Sequence, residues 1–141
     1  MNWEPEVDVV VPCYNVEYII NKCIKSLLQQ SYNKNKINIY LINDGSTDKT
    51  GNILETFEKN NNINIIHHDK NMSQSSARNT GIREGNSEVI CFLDSDMVVN
   101  KNWITTHIDI LSDRKIVGVV GDQILPTGQI ATLLDKYLYD K

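Results

Sequence analysis

The sequence predicts an α/β fold, a mostly parallel sheet with helices on both faces. Two observations carry this. Short apolar runs alternate with segments whose apolar residues recur at helical spacing, as in chains of strand–helix units. The runs are also mostly continuous rather than alternating, the pattern of strands buried on both sides. The 141 residues suit one domain with a sizeable core. No repeat, linker or low-complexity tract divides them.

V-D-V-V-V-P-C, Val7 to Cys13, reads as a buried strand closed by Pro12 and Asn15. Ile19, Ile20, Cys23, Ile24, Leu27 and Leu28 then form the stripe of an amphipathic helix. Ile37 to Asn43 is a second strand, and D-G-S-T-D turns into a helix carrying Ile53, Leu54 and Phe57, with Ser46 or Thr47 as its expected N-cap. Ile63 to His68 is a third strand, followed by a helix through Ala77 and Ile82. S-E-V-I-C-F-L gives a fourth strand, Trp103 to Leu111 a helix, and Ile116 to Gly121 a fifth strand. N-K-N-K and K-N-N-N look like exposed loops.

Composition narrows the function. A formal net charge of −4 offers no basic surface for nucleic acid. Cys13, Cys23 and Cys91 are odd in number, lack zinc-like spacing and sit in apolar segments, where cysteine acts as a small hydrophobe. They fit a reducing cytoplasm. The opening M-N-W-E-P-E-V-D does not resemble a signal peptide, and no apolar run approaches the ~20 residues of a membrane span.

In parallel α/β sheets ligands bind beyond the carboxyl ends of the strands, and the unusual polar residues fall there. P-C-Y-N follows the first strand, N-D-G-S-T the second, D-K-N-M-S the third and D-S-D the fourth. Tyr14, Asp44, Asp69, Asn71, Asp94 and Asp96 therefore converge on one edge. Asp94 and Asp96 interrupt the most apolar run, where an unpartnered carboxylate is costly. A turn would let both reach one ligand, and hard oxygen ligands with few companions suit Mg²⁺ or Mn²⁺ holding substrate phosphates. The alternative is a solvated turn of helix-capping aspartates. Asp44 only accepts hydrogen bonds, so as a reader of bases it selects uracil, thymine or guanine, which present a ring N–H. Otherwise it is a turn-forming Asp-Gly. Tyr14 offers a ring for stacking and Arg78 a fork of donors, against a core-edge tyrosine and a solvated arginine. His67 and His68 are adjacent on a strand and face opposite ways, which argues against a shared metal or acid–base role.

Together V-V-V-P-C-Y-N-V-E, I-N-D-G-S-T-D-K-T, N-M-S-Q-S-S-A-R-N-T-G-I and F-L-D-S-D resemble glycosyltransferase family 2, in the family's order, over roughly residues 7 to 125. The resemblance implies a GT-A fold with a Rossmann-like, donor-binding half and a Mn²⁺- or Mg²⁺-dependent, inverting transfer of a sugar from a nucleotide-diphosphate donor, UDP-linked, to a saccharide, lipid or protein acceptor. By position, Pro12, Tyr14 and Glu17 resemble the first nucleotide-contacting loop, Asp44 the base-reading aspartate and Arg78 an arginine near the nucleotide. Asp94 resembles the ribose-side and Asp96 the metal-side member of the Asp-x-Asp pair. Ser73 departs from the pattern, standing where the family has glycine. Asp109, Asp113, Asp122, Asp135 and Asp140 lack the surroundings of the family's catalytic carboxylate, so the general base is expected beyond Lys141. The chain thus resembles a donor-binding half, its parent expected in the cytoplasm or at the inner face of the membrane. Cut from its acceptor half, it is expected to expose apolar surface and self-associate. Two rivals stand: a nucleotide-binding module without turnover, and a haloacid-dehalogenase-like phosphatase with Asp94 as nucleophile. The phosphatase leaves P-C-Y-N, D-G-S-T and A-R-N unexplained.

Overall fold

The computed structural model of the protein describes residues 3–121. In chain order the elements are β1 (Val7–Cys13), α1 (Ile20–Leu28), a 3₁₀ turn (Lys34–Lys36), β2 (Ile37–Asn43), α2 (Thr50–Glu55), β3 (Ile63–His67), α3 (Gln74–Glu84), β4 (Val89–Phe92) and α4 (Trp103–Leu111). All strand pairs are parallel and the order is β3-β2-β1-β4. The chain starts in the middle of the sheet, steps out to β3, and crosses back to lay β4 on the other side of β1. This reversal opens a crevice between the ends of β1 and β4.

Every residue of β1 is buried. It pairs with β2 from Val7↔Ile37 to Cys13↔Asn43, but with β4 only from Val7↔Val89 to Val10↔Phe92. The Val10 carbonyl accepts the Leu93 N–H at 3.1 Å, so it faces β4. Two residues on, Pro12 turns its missing N–H to that same side, past the last rung, where no ladder bond is lost.

One face of the sheet packs Val7, Val9, Val11 and Cys13 against α1, Leu54 of α2, and Ile104 and Ile108 of α4. Ile20, Cys23, Ile24 and Leu27 are the buried stripe of α1, each large aliphatic contributing roughly 1.5–3 kcal/mol. The other face carries α3, whose Ala77 meets Val10 and Ile42. Gly81 lies one turn on from Ala77, and a Cβ there would stand 2.4 Å from Val10 Cγ1. Ile82 points away and is 40% exposed, and on the same sheet face Ile90 and Phe92 of β4 remain exposed.

Three expectations change. Ile116–Gly121 forms no strand among the described residues, and Val117 and Val120 are almost wholly exposed; an apolar run becomes a strand only with a ladder partner. Neither Ser46 nor Thr47 caps α2, which starts at Thr50. The Asp48 carboxylate accepts the Thr50 N–H at 2.9 Å, because the loop runs on three residues bonded to the segment after β1. Phe57 lies past the end of α2 and reaches the core from the following turn. Ile82 lies in α3 as expected, though it does not join the core. Asp122, Asp135 and Asp140 lie outside the described residues. Among the described residues no helix is long and apolar enough to cross a membrane.

Ser73, at the head of α3, has φ 93° and ψ 152°, a region that almost only glycine occupies. Its hydroxyl caps the helix by accepting the Ser76 N–H at a long 3.3 Å. The strain of roughly 1–3 kcal/mol exceeds the few tenths lost when Gly replaces a Ser cap. Ser73→Gly is therefore expected to stabilise the chain by about 1 kcal/mol even after glycine's entropy cost, read as a higher urea midpoint. Gly81→Ala is expected to do the reverse. Overpacking against stiff, buried Val10 costs about 1–3 kcal/mol, more than the ~1 kcal/mol gained in helix propensity, so the midpoint falls.

Candidate functional site

The carboxyl ends of the strands are tied together by their own loops. Asn15 follows β1 in a left-handed conformation, φ 51°, which Asn tolerates. Its Oδ1 accepts the Thr47 N–H at 2.8 Å, while its own N–H donates to Ser46 Oγ at 3.1 Å. Val16 N–H donates to Thr50 Oγ1 at 2.8 Å, and Glu17 N–H to Asp48 Oδ2 at 3.1 Å. Burial pushes the Asp48 carboxyl up, but hydrogen bonds from Thr50 and the neighbouring amides together outweigh it and hold it below the usual range. The Glu17 carboxylate accepts the Lys49 N–H at 2.7 Å, so here it braces the loop after β2. Pro12 is buried inside β1, leaving Tyr14, 46% exposed, as the first open side chain after the strand.

Asp44 closes β2, its N–H donating to the Cys13 carbonyl at 2.8 Å. The side chain is 2% exposed, and its charge is met by protein donors. Met72 N–H and His68 Nδ1–H donate to Oδ1 at 2.9 and 2.7 Å, and Ser73 N–H donates to Oδ2 at 3.0 Å. The loop of residues 69–73 is thereby latched over the end of β2. Gly45 makes room for it with φ +67°, since a Cβ would stand 2.3 Å from the Lys70 carbonyl carbon. His67 and His68 do face opposite ways: His67 pairs with Asn43 at 2.9 Å, and His68 reaches Asp44 and, through Nε2, Thr80 Oγ1 at 3.0 Å.

After β4 the chain turns at once. Met97 N–H donates to the Asp94 carbonyl at 3.0 Å, so Asp94-Ser95-Asp96-Met97 is a β-turn rather than extended strand. Asp94 Oδ1 accepts from Arg78 Nη2 at 2.7 Å and Gln74 Nε2 at 3.0 Å. Arg78 also lies 6.0 Å over the Phe92 ring, and its Nε is buried with no partner among the described residues. Asp96 is exposed and receives no hydrogen bond from any described residue. It lies near enough to Cys23 that burial and, secondarily, its charge push that thiol up to about 12. Burial likewise pushes Cys91 up to about 11, so both stay as inert thiols.

The carboxylates here are chemically suited to a divalent ion. Asp96 is an open carboxylate in a turn, and Asp94 keeps Oδ2 free of described donors. No group of three or more His, Cys, Asp or Glu side chains among the described residues forms a metal cage. Two hollows of about 400 and 360 Å³ lie along β3 and at the amino ends of the strands, away from these residues.

The structure brings Asp44, Arg78 and Asp94 to one edge with the exposed Tyr14 and Asp96. Sequence reasoning missed Asn15, Asp48, Gln74 and His68. Asn15 shows only as the residue that closes the first strand, and Asp48 only as the end of the D-G-S-T-D turn. His68 shows only as half of a histidine pair set aside as a shared metal or acid–base site, with no sign of its bond to Asp44.

Comparison with known proteins identifies the family. A model described as glycosyl transferase family 2 matches residues 8–134. Glycosyltransferase GlyA of Streptococcus pneumoniae is 36% identical over 103 residues, 73% of this chain and 14% of GlyA. Glycosyltransferase AglE of Haloferax volcanii is 31% identical over 134 residues, 94% of this chain and 44% of AglE. Among solved structures, S. aureus TarS 1-349 in complex with UDP-GlcNAc superposes with a TM-score of 0.72 at 25% identity, covering 86% of this chain and 37% of that one. The mannosyltransferase PcManGT of Pyrobaculum calidifontis, in complex with GDP-Man and Mn²⁺, shares the fold with a TM-score of 0.75 at 21% identity, over 79% of this chain and 33% of that one. The chain spans less than half the length of each of these proteins. With a family model matched over most of its length and a GT-A sheet carrying the motifs at its strand ends, the chain belongs to glycosyl transferase family 2.

Proposed function

We propose that this chain carries the donor site of an enzyme that moves a sugar from a nucleotide diphosphate, a UDP-sugar, to an acceptor hydroxyl with inversion. One observation carries the reading. At an edge where Asp44, Asp48 and Asp94 are each met by protein donors, Asp96 in the turn after β4 is exposed and receives no hydrogen bond from any described residue, a state it shares with Asp69 after β3. Such a carboxylate suits a cation that arrives with its ligand.

In this reading Tyr14 stacks on the base and Asp44 accepts its ring N–H. Asp94, oriented by Arg78 and Gln74, faces the ribose. The partnerless Nε of Arg78 marks a donor available for nucleotide oxygens after a small side-chain shift. Asp96, with Asp94 beside it, would hold Mn²⁺ or Mg²⁺. When bound, that ion supplies charge neutralisation for the departing diphosphate. Pro12 and Glu17 act from behind, one through the strand and one through the loop brace. Removal of the acceptor proton is assigned to a carboxylate outside these 141 residues, since the relatives run well beyond the length this chain matches. Binding without turnover is therefore the expected behaviour of the chain on its own.

Calorimetric titration with UDP, with and without Mn²⁺, tests the assignment. Binding is expected to require the metal and to weaken at least about tenfold in Asp96→Ala, the loss of one charge-assisted contact. UDP affinity unchanged by Mn²⁺ or by that substitution would sink the metal assignment.

A further inference from the structure

An ionised carboxylate has about four acceptor sites, two on each oxygen. On Asp44, Oδ1 takes the His68 Nδ1–H at 2.7 Å and the Met72 N–H at 2.9 Å, and Oδ2 takes the Ser73 N–H at 3.0 Å. Oδ1 is full, and one site remains, on Oδ2. Uracil and thymine present a single ring N–H between two carbonyls. Guanine presents a ring N–H and an amino N–H side by side, and a carboxylate meets that pair through both of its oxygens.

We propose that His68, by filling Oδ1, restricts Asp44 to a single base N–H and so makes the site prefer uridine or thymidine diphosphates over guanosine diphosphate. The inference rests on the donor-site reading given above. His68 is a positioning residue here, and it is held for that role. Its side chain is 10% exposed, and its far nitrogen meets Thr80 Oγ1 of α3 at 3.0 Å, an oxygen that also accepts from Arg83 Nη2 at 3.2 Å. The ring is therefore fixed from both sides. Because an ionised carboxylate only accepts, Nδ1 carries the proton. The Met72 and Ser73 donors belong to the main chain and persist whatever their side chains are, which leaves His68 as the donor that substitution removes. Without it Asp44 regains one site on each oxygen, the pair that guanine needs.

The test compares UDP with GDP by calorimetry in Mn²⁺ on the unaltered chain, His68→Asn and His68→Phe. The Asn amide nitrogen lies close to the place of Nδ1 and keeps the donor, whereas Phe fills the space of the ring without it. The unaltered chain and His68→Asn are expected to prefer UDP. In His68→Phe the UDP-to-GDP preference is expected to fall about tenfold, the worth of one hydrogen bond to a charged group. A ratio unchanged in His68→Phe, or both nucleotides weakened by one common factor, would overturn the inference. An unaltered chain that binds neither nucleotide refutes the donor-site reading itself, a result visible before any variant is made. Should His68→Phe fail to fold, nitrogen NMR of the unaltered chain decides: Nδ1 is expected to stay protonated and hydrogen-bonded with UDP bound. A bare Nδ1 in that complex would overturn the inference.

Discussion

Strand β1 meets water on neither face and sits between two neighbours, and that constraint organises the molecule. A backbone buried on both sides must find ladder partners along both edges. β2 supplies one edge over the whole strand, and β4 supplies the other for its first four residues. Since parallel neighbours need crossover connections, the chain runs out to β3 and returns over α3. The same path brings the ends of β1, β2, β3 and β4 to one edge, and the early end of β4 opens a gap there. The site follows from the topology that buries β1.

Charge is distributed unevenly along that edge. Asp44 is nearly sealed, and it remains tolerable inside because two backbone amides and an imidazole donate to it. Asp94 is half open and faces a guanidinium; at that exposure the pair orients side chains more than it stabilises the fold. Asp96 is open and unpaired among the described residues. A carboxylate's surroundings thus grade from wholly protein to wholly solvent across a single crevice. Far from it, at the amino end of the sheet, buried Asp8 is satisfied by Asn38 and by both donors of Ser87. The fold handles a purely structural carboxylate by completing its hydrogen bonds, and that contrast sets Asp96 apart.

Rigidity comes from loops bonded to loops. Asn15, Val16 and Glu17 after β1 interlock with Ser46, Thr47, Asp48, Lys49 and Thr50 after β2. The loop after β3 is latched to Asp44 and fits only because Gly45 has no Cβ. Ser73 pays for that latch in backbone conformation. Strain at the latch and order at the edge are two aspects of one arrangement, since the amide of the strained residue is itself a donor to Asp44.

The sequence by itself determined the strands, the main helices and the edge at which Tyr14, Asp44, Arg78, Asp94 and Asp96 gather. Continuous apolar runs, helical spacing and turn residues are local signals, and parallel topology converts strand ends into a site. Tertiary structure alone decided what those residues meet. His68, Met72 and Ser73 lie 24 to 29 positions from Asp44, and no local pattern says that a loop will fold back over a carboxylate. The same limit explains the ends of elements. Ile116–Gly121 has the composition of a strand, but a strand exists only where a neighbour offers its backbone. α2 starts at Thr50 rather than just after Ser46 or Thr47, because the loop first has to reach Asn15 and Glu17. Local propensity specifies what a segment can become; hydrogen-bond partners distant in sequence specify what it is.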